Sequence, residues 1–526
     1  MRSRRGTRRT AWTALAVVLL APLITACDPN RFVTGWIPSW GITSGRAVID
    51  DDGAASLFAE VSLMFYGTDD DGTIDLSTSQ ANIDSAVASA RAQGLPVVPS
   101  IFDVQPAGVM RAILDDPARR TQHVQNIVNL VTSRSYDGID LDYEVFAFGD
   151  SRSTWDSIRP DWIAFVAELG AALRAQGKLL SVTVPPVWTS NGTTVGYTVY
   201  AQQEIAPHID RLRLMAYDWS TSSPGPISPG WWVESVIAWS SARVPKSKLQ
   251  LGVPAYGRHW ATKKYSADTC PAGATFRDSI TLHETAPLAA SVGIEPVRHV
   301  SGELTFEWTE VVEGTTAAGS SGTAAIGSFA AIDRIGEPVT LSGLQPAVRL
   351  NPPDPPATCT IQHTVFVPDA ATLRGRAEGA LAAGWSGIAI WALGYETADV
   401  YEFLGDIEPQ RPNGIATGAI TAATVPVGPA PVTATVSGTA YDPAFDLPVP
   451  VRITVTRSGA TTPAIVRTLL ASRTITTAPD GIGPFHGWQA SFTLTEGAWN
   501  VCAAIMGWGG ATSSGLGCTS LTVPAP

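Results

Sequence analysis

Four acidic side chains fall within eight residues, Asp137-Gly138-Ile139-Asp140-Leu141-Asp142-Tyr143-Glu144. In an extended strand Asp140, Asp142 and Glu144 share one face, while Ile139, Leu141 and Tyr143 take the other. Neighbouring carboxylates on that face stand about 6.6–6.8 Å apart. Three ionised carboxylates in an enclosed space are costly. The usual resolution is shared protons, with at least one pKa raised by like charge and desolvation. A carboxyl that keeps its proton near neutral pH is a general acid, able to protonate a departing oxygen. Glu144, the longest and outermost of the three, is the candidate to deliver it. Calcium binding is the competing chemistry, but an EF-hand loop needs glycine after its third acidic position, whereas Gly138 precedes Asp140 and Asp142.

A frame must hold such a face. Short apolar runs at 33–36, 61–65, 96–101, 138–143, 180–184, 211–216, 249–253 and 387–391 read as eight strands. Helical periodicity fills gaps between them, as at 84–93, 122–133, 162–176 and 371–383. Near-continuous apolar strands alternating with helices indicate a parallel sheet covered on both faces. Eight such units predict an α/β fold, a closed (β/α)8 TIM barrel over 31–407, with chemistry at the C-terminal ends of its strands. Between strands seven and eight, 259–366 is far longer than a βα connection; its short β-like runs at 304–312 and 361–365 predict an inserted α+β subdomain. Pro and Gly at 408–414 mark a linker. The alternating runs beyond it (432–436, 451–455, 490–494) predict an all-β sandwich over 415–526.

With 35 basic against 47 acidic residues and only five lysines, the chain lacks the clustered cations that nucleic acid demands. Its 17 tryptophans suit stacking on sugar rings but equally an ordinary core. The first 27 residues carry a basic start, an apolar stretch and small residues before Cys27. Ile24-Thr25-Ala26-Cys27 resembles a lipobox, which would lipidate Cys27 and make that anchor the only membrane contact; a plain signal peptide or an anchor helix would equally export the chain. In an oxidising compartment Cys270, Cys359, Cys502 and Cys518 can pair in three ways. Cys270–Cys359 and Cys502–Cys518 are expected, because each pair then lies inside one unit. No Cys/His spacing resembles a zinc site.

Asp137 to Glu144 resembles the D-G-x-D-x-D-x-E signature of glycoside hydrolase family 18, the chitinase family. Leu214-Met215-Ala216-Tyr217-Asp218 is similar to its sixth-strand M-x-Y-D, and Leu251 to Arg258 to its L-G-x-P-x-Y-G-R. Gly387 to Trp391 is similar to its eighth-strand end. The resemblance covers 31 to about 407 and implies a retaining, substrate-assisted hydrolase of β-1,4-linked N-acetylglucosamine polymers, monomeric and needing no metal or organic cofactor. Glu144 would be the acid/base. Asp142 would orient the acetamido group and Asp140 would support Asp142. Tyr217, Asp218, Met215, Tyr256, Arg258 and Trp391 would form the sugar pocket. One departure stands out. The family's third strand ends in S-x-G-G, whereas Ser100-Ile101-Phe102-Asp103 lacks both glycines, which places Phe102 and Asp103 beside the sugar, where they would narrow or reshape the cleft.

Three functions compete: a chitinase, a hydrolase of peptidoglycan or N-glycan cores that share the same sugar, and a non-catalytic lectin on the same barrel. Lectins of this type have typically lost the terminal acid, and Glu144 is present. The C-terminal sandwich resembles immunoglobulin-like accessory modules. Its Trp488, Trp499 and Trp508 read as core or, less simply, as a sugar platform.

Overall fold

The computed structural model describes residues 32–266, 268–313, 358–407, 416–443, 448–471, 473–475, 485–506 and 514–525. The expected leader with Cys27, the linker at 408–414, the middle of the insertion and Trp508 lie outside the described residues.

Eight parallel strands close on themselves. They are β1 (Phe32–Pro38), β2 (Glu60–Thr68), β3 (Ser100–Phe102), β4 (Gly138–Asp142), β5 (Leu179–Val184), β6 (Arg211–Met215), β7 (Leu249–Pro254) and β8 (Gly387–Trp391). Each pairs with its sequence neighbour, and β8 pairs with β1 to complete the barrel. Helices such as Gln80–Ala92, Pro117–Ser133, Trp155–Ala175 and Ala370–Ala382 link them. Local sequence supports these helices. Asp116 caps one of them, its Oδ1 accepting from the N–H groups of Ala118 at 2.8 Å and Arg119 at 3.2 Å, with Pro117 in the first turn.

The strands are not uniformly apolar, as the sequence reading expected; they alternate. Ile139, Leu141, Leu212, Leu214 and Leu251 join helix residues such as Val128, Phe165 and Val236 in one large hydrophobic cluster. The positions between them carry Glu60, Ser62, Asp140, Arg211, Arg213 and Gln250, all buried. Arg213 bonds Glu60, Ser62 Oγ at 2.6 Å and Gln250 Oε1 at 3.1 Å, and lies 3.3 Å from Asp140 Oδ2; Arg211 pairs with Glu60 as well. Charge pairs across the barrel thus fill an interior that aliphatic layers fill in other barrels of this type. Two guanidinium groups there face the carboxylates of Glu60 and Asp140.

The insertion is a five-stranded antiparallel sheet in the spatial order Phe276–Thr281, Tyr256–Lys263, Thr358–Val367, Leu304–Glu313, Val297–Arg298, with the helix Leu282–Val292. A disulfide joins Cys270 to Cys359. Two four-stranded antiparallel sheets follow in the C-terminal part, sharing one hydrophobic core and holding the Cys502–Cys518 disulfide between paired strands. Trp488 and Trp499 are buried in that core, so neither forms a sugar platform.

Candidate active site

The acidic run occupies β4 and the turn after it. Gly138 is dictated by the neighbouring strand, because a Cβ there would lie 2.5 Å from Leu179 Cβ and 2.6 Å from its carbonyl oxygen. Asp140, fully buried, accepts from Trp36 Nε1 (3.1 Å, β1), Ser100 Oγ (2.8 Å, β3) and Thr183 Oγ1 (3.0 Å, β5), besides facing Arg213 on β6. Donors from four other strands fix it, which leaves its oxygens committed inside the barrel rather than free to ligate a calcium ion.

Asp142 has a different environment. Its Oδ1 is buried with no hydrogen-bond partner among the described residues. Burial foremost, then the charges of Glu144, Asp140 and Asp103, hold its carboxyl well above the ordinary range against the pull of Arg213. The strand ends here. Glu144 does not continue it onto the shared face; it opens a short helix, Val145–Phe148, with φ −113° and ψ −40°. Burial, then the charges of Asp103 and Asp218, push the Glu144 carboxyl up to about 7. Two neighbouring carboxyls that favour the protonated form can serve as proton donor and hydrogen-bond donor.

Tyr143, on the opposite face, anchors this turn. His123 Nδ1 contacts the Gly72 carbonyl oxygen at 2.6 Å, and since a carbonyl can only accept, the ring proton sits on Nδ1. Nε2 therefore accepts from Tyr143 Oη at 2.7 Å. Burial lowers the His123 pKa to about 4, so the ring stays neutral. Tyr200 Oη donates to the Tyr143 carbonyl at 2.7 Å.

A cavity of about 580 Å³ opens over these groups. Asp142, Glu144, Met215, Tyr217, Asp218, Tyr256 and Trp391 all line it. Of the expected pocket residues only Arg258 stands behind the wall, donating from Nη2 (2.7 Å) and Nε (3.2 Å) to Asp218 Oδ1. Asp218 has a left-handed backbone, φ 60°, which short polar side chains tolerate. Tyr217 meets Tyr256 edge to face at 6.1 Å. Gly252 makes room for Tyr217, since a Cβ would come within 3.1 Å of its Cε1 and 2.7 Å of the Leu214 carbonyl. Trp391 lies 6.0 Å from Trp36 and 6.2 Å from Trp40.

Several lining residues escaped the sequence reading: Trp36, Trp40, Phe148, Arg152, Trp188, Tyr197, Trp219 and Trp232. The available signal was position, because Trp36 ends the first apolar run, 33–36, and Trp219 follows the M-x-Y-D run directly. Phe102 and Asp103 do not line the cavity, contrary to the expectation from the altered third strand. Asp103 turns instead toward the backbone, accepting from the N–H groups of Glu144 (2.7 Å), Val145 (2.8 Å) and Phe146 (2.7 Å).

Residues 33–396 match the family model described as glycosyl hydrolases family 18. Among curated proteins, the chain is 28% identical over 246 residues to YdhD of Bacillus subtilis (strain 168), named as a sporulation-specific glycosylase, covering 45% of this chain and 55% of that protein. It is 27% identical over 277 residues to a chitinase-like effector of Moniliophthora roreri, covering 48% and 65%. The chain spans about half the length of the first curated relatives it matches. Among solved structures, a chitinase from Chromobacterium violaceum ATCC 12472 superposes with a TM-score of 0.53 at 22% identity, covering 72% of this chain and 100% of the other. The spore cortex-lytic enzyme SleL of Bacillus megaterium QM B1551 gives 0.54 at 14%, covering 73% and 75%. At these identities the structural likeness is one of fold.

Proposed function

Because the chain belongs to the glycosyl hydrolases of family 18, we propose that it is a retaining glycosidase cutting β-1,4 bonds in polymers of N-acetylglucosamine, with Glu144 as general acid and then general base. The observation that carries this reading is a carboxyl pushed up to about 7 at a sugar-sized, aromatic-walled cavity. In the first step the acetamido oxygen of the bound sugar attacks its own anomeric carbon, and the glycosidic C–O bond breaks as Glu144 gives its proton to the leaving oxygen. Asp142, protonated or sharing a proton, bonds the acetamido group and stabilises the oxazolinium cation. Tyr217 donates its hydroxyl to the same group; burial keeps that hydroxyl protonated. Water then attacks the anomeric carbon and loses a proton to Glu144, which restores the acetamido group and retains the anomeric configuration. Asp140 holds Asp142's surroundings fixed, Met215 packs against the acetamido pocket, Tyr256 and the Arg258–Asp218 pair shape it, and Trp391 stacks under the ring.

Substrate assistance makes the N-acetyl group part of the machinery. Fully deacetylated chitosan oligomers are therefore expected to turn over at least about 10²-fold more slowly than N-acetylated ones of equal length. Comparable kcat/KM for the two, measured by product chromatography, would remove this mechanism.

One observation favours a second substrate, peptidoglycan. Arg152 lines the cavity with its guanidinium 4.7 Å above the Trp155 ring and 5.4 Å from that of Tyr197, and it makes no ion pair among the described residues. Chitin is neutral, whereas alternate sugars of peptidoglycan bear a lactyl-linked peptide stem with free carboxylates, or a bare lactyl carboxylate where the stem has been cleaved off, and a planar guanidinium can take either at both oxygens. If peptidoglycan is the substrate, Arg152→Gln should lower kcat/KM on its glycan strands about tenfold and leave N-acetylglucosamine oligomers unaffected. Equal losses on both would favour chitin. The expected leader ending at Cys27 would place the enzyme outside the membrane, in reach of either polymer.

A further inference from the structure

The third-strand departure noted in the sequence acquires a purpose in the fold. Asp103 follows β3 directly, is 4% exposed and reaches across to the turn after β4. The register sets this up, because Phe102 pairs with Asp142 and so brings Asp103 alongside the first residues beyond β4. Its Oδ1 takes two N–H groups and its Oδ2 a third, those of Glu144, Val145 and Phe146. These are the opening donors of the helix Val145–Phe148, whose N-cap residue, Glu144, makes no side-chain cap bond. All three partners are donors, so the clamp is made by the carboxylate form, which these bonds favour against the burial that raises the Asp103 carboxyl above its ordinary range. Two glycines at 102 and 103 would have nothing to offer there.

We propose that Asp103 is a positioning residue: it clamps the backbone that carries Glu144 and, as a fixed anion behind the acid, sets the pH range over which Glu144 can donate its proton. The inference rests on Glu144 being the acid. Clamping matters because a catalytic group displaced by about 1 Å can lose about 10² in rate. The charge matters because a neighbouring anion makes Glu144 hold its proton to higher pH, and Asp103 is the leading charge acting on it. Other groups facing Glu144 are Asp142 on β4, Asp218 and Tyr217 after β6, Tyr256 after β7, and Tyr200 from the turn Thr198–Tyr200. None of these also bonds the Glu144 backbone.

The sign follows. With Asp103 neutralised, Glu144 releases its proton more readily, so the alkaline limb of kcat/KM moves to lower pH. Asp103→Asn retains an oxygen for Glu144 and Val145 but sets an NH₂ against the Phe146 N–H. It should shift that limb down by roughly half to one pH unit. Asp103→Ala should lower kcat about 10- to 100-fold with little change in KM. An activated aryl leaving group, which needs little protonation, should recover most of that loss, whereas damage that is merely structural would depress both substrates alike. Asp103→Glu retains the charge and should leave the limb near its wild-type position even if kcat falls. The proposal is overturned if Asp103→Asn leaves the alkaline limb in place, or if the Ala deficit is equal for good and poor leaving groups. If Glu144→Gln is itself fully active, the reading beneath it has failed instead. Should Asp103→Ala not fold, the Asn and Glu pair decides by the pH limb alone.

Discussion

Glu144→Gln is expected to lower kcat on N-acetylglucosamine oligomers by about 10²–10⁴-fold while the protein still folds and still binds them. Gln is isosteric and can accept a hydrogen bond, but it has no proton to give and cannot take one back from water. The same variant should also be more stable in mild alkali. The Glu144 carboxyl is held up from 4.5 to about 7, chiefly by burial. A group with a raised folded-state pKa stabilises the fold below its unfolded value, and that contribution disappears as pH climbs through the folded one. An amide at 144 avoids this, so the gain over wild type should grow between about pH 4.5 and 7 and level off above, on the order of 3 kcal/mol. Thermal melts at pH 4.5 and 8, beside turnover, separate the outcomes. Retained hydrolysis would take Glu144 out of its role; lost hydrolysis with a lowered melting temperature at both pH values would mean that the substitution damaged packing instead.

Arg213→Met is expected to destabilise the barrel by about 3–5 kcal/mol. Arg213 is fully buried, faces Glu60 and Asp140 at once, and also donates to Ser62 and Gln250. Removing it leaves carboxylates in a dry interior with fewer donors, and an uncompensated buried charge costs far more than the pair gains. Met fills similar volume, so a cavity contributes little. Urea unfolding followed by tryptophan fluorescence gives the loss. Adding Asp140→Asn should restore part of it, because the second charge is then gone as well, and a double-mutant cycle would measure that coupling. A loss under about 1 kcal/mol would mean that Arg211 alone can balance the interior.

The eight strands were legible because apolar runs of four to six residues recur between helical segments, and all eight lie where those runs are. The third strand is shorter than its run at 96–101 suggests. Pro96 and Pro99 have no N–H to donate, so the ladder there shrinks to Ser100–Phe102 with an isolated bridge from Val61 to Val97. The polar interior was not legible as such, because Arg211, Arg213 and Glu60 look like surface residues until closure brings β2 and β6 face to face. The strand Tyr256–Lys263 is masked in the sequence, because its first residues read as a motif and the rest as the start of an insertion. Within the site, spacing alone puts Asp140 and Asp142 on one face, but it does not show that the strand ends before Glu144. Asp103 was not legible: its role depends on where the turn after β4 falls, and one aspartate at a strand end has no period to announce it.

The Cys270–Cys359 bond pins an excursion of 89 residues, a closure worth about 4–5 kcal/mol in chain entropy. The sheet it secures includes Tyr256–Lys263, in which Tyr256 lines the cavity and Arg258 holds Asp218 from behind its wall. Thiols and oxidants in the surroundings therefore bear on the sheet that backs this cavity. A molecule made under reducing conditions holds that sheet by its strand ladders and apolar contacts alone.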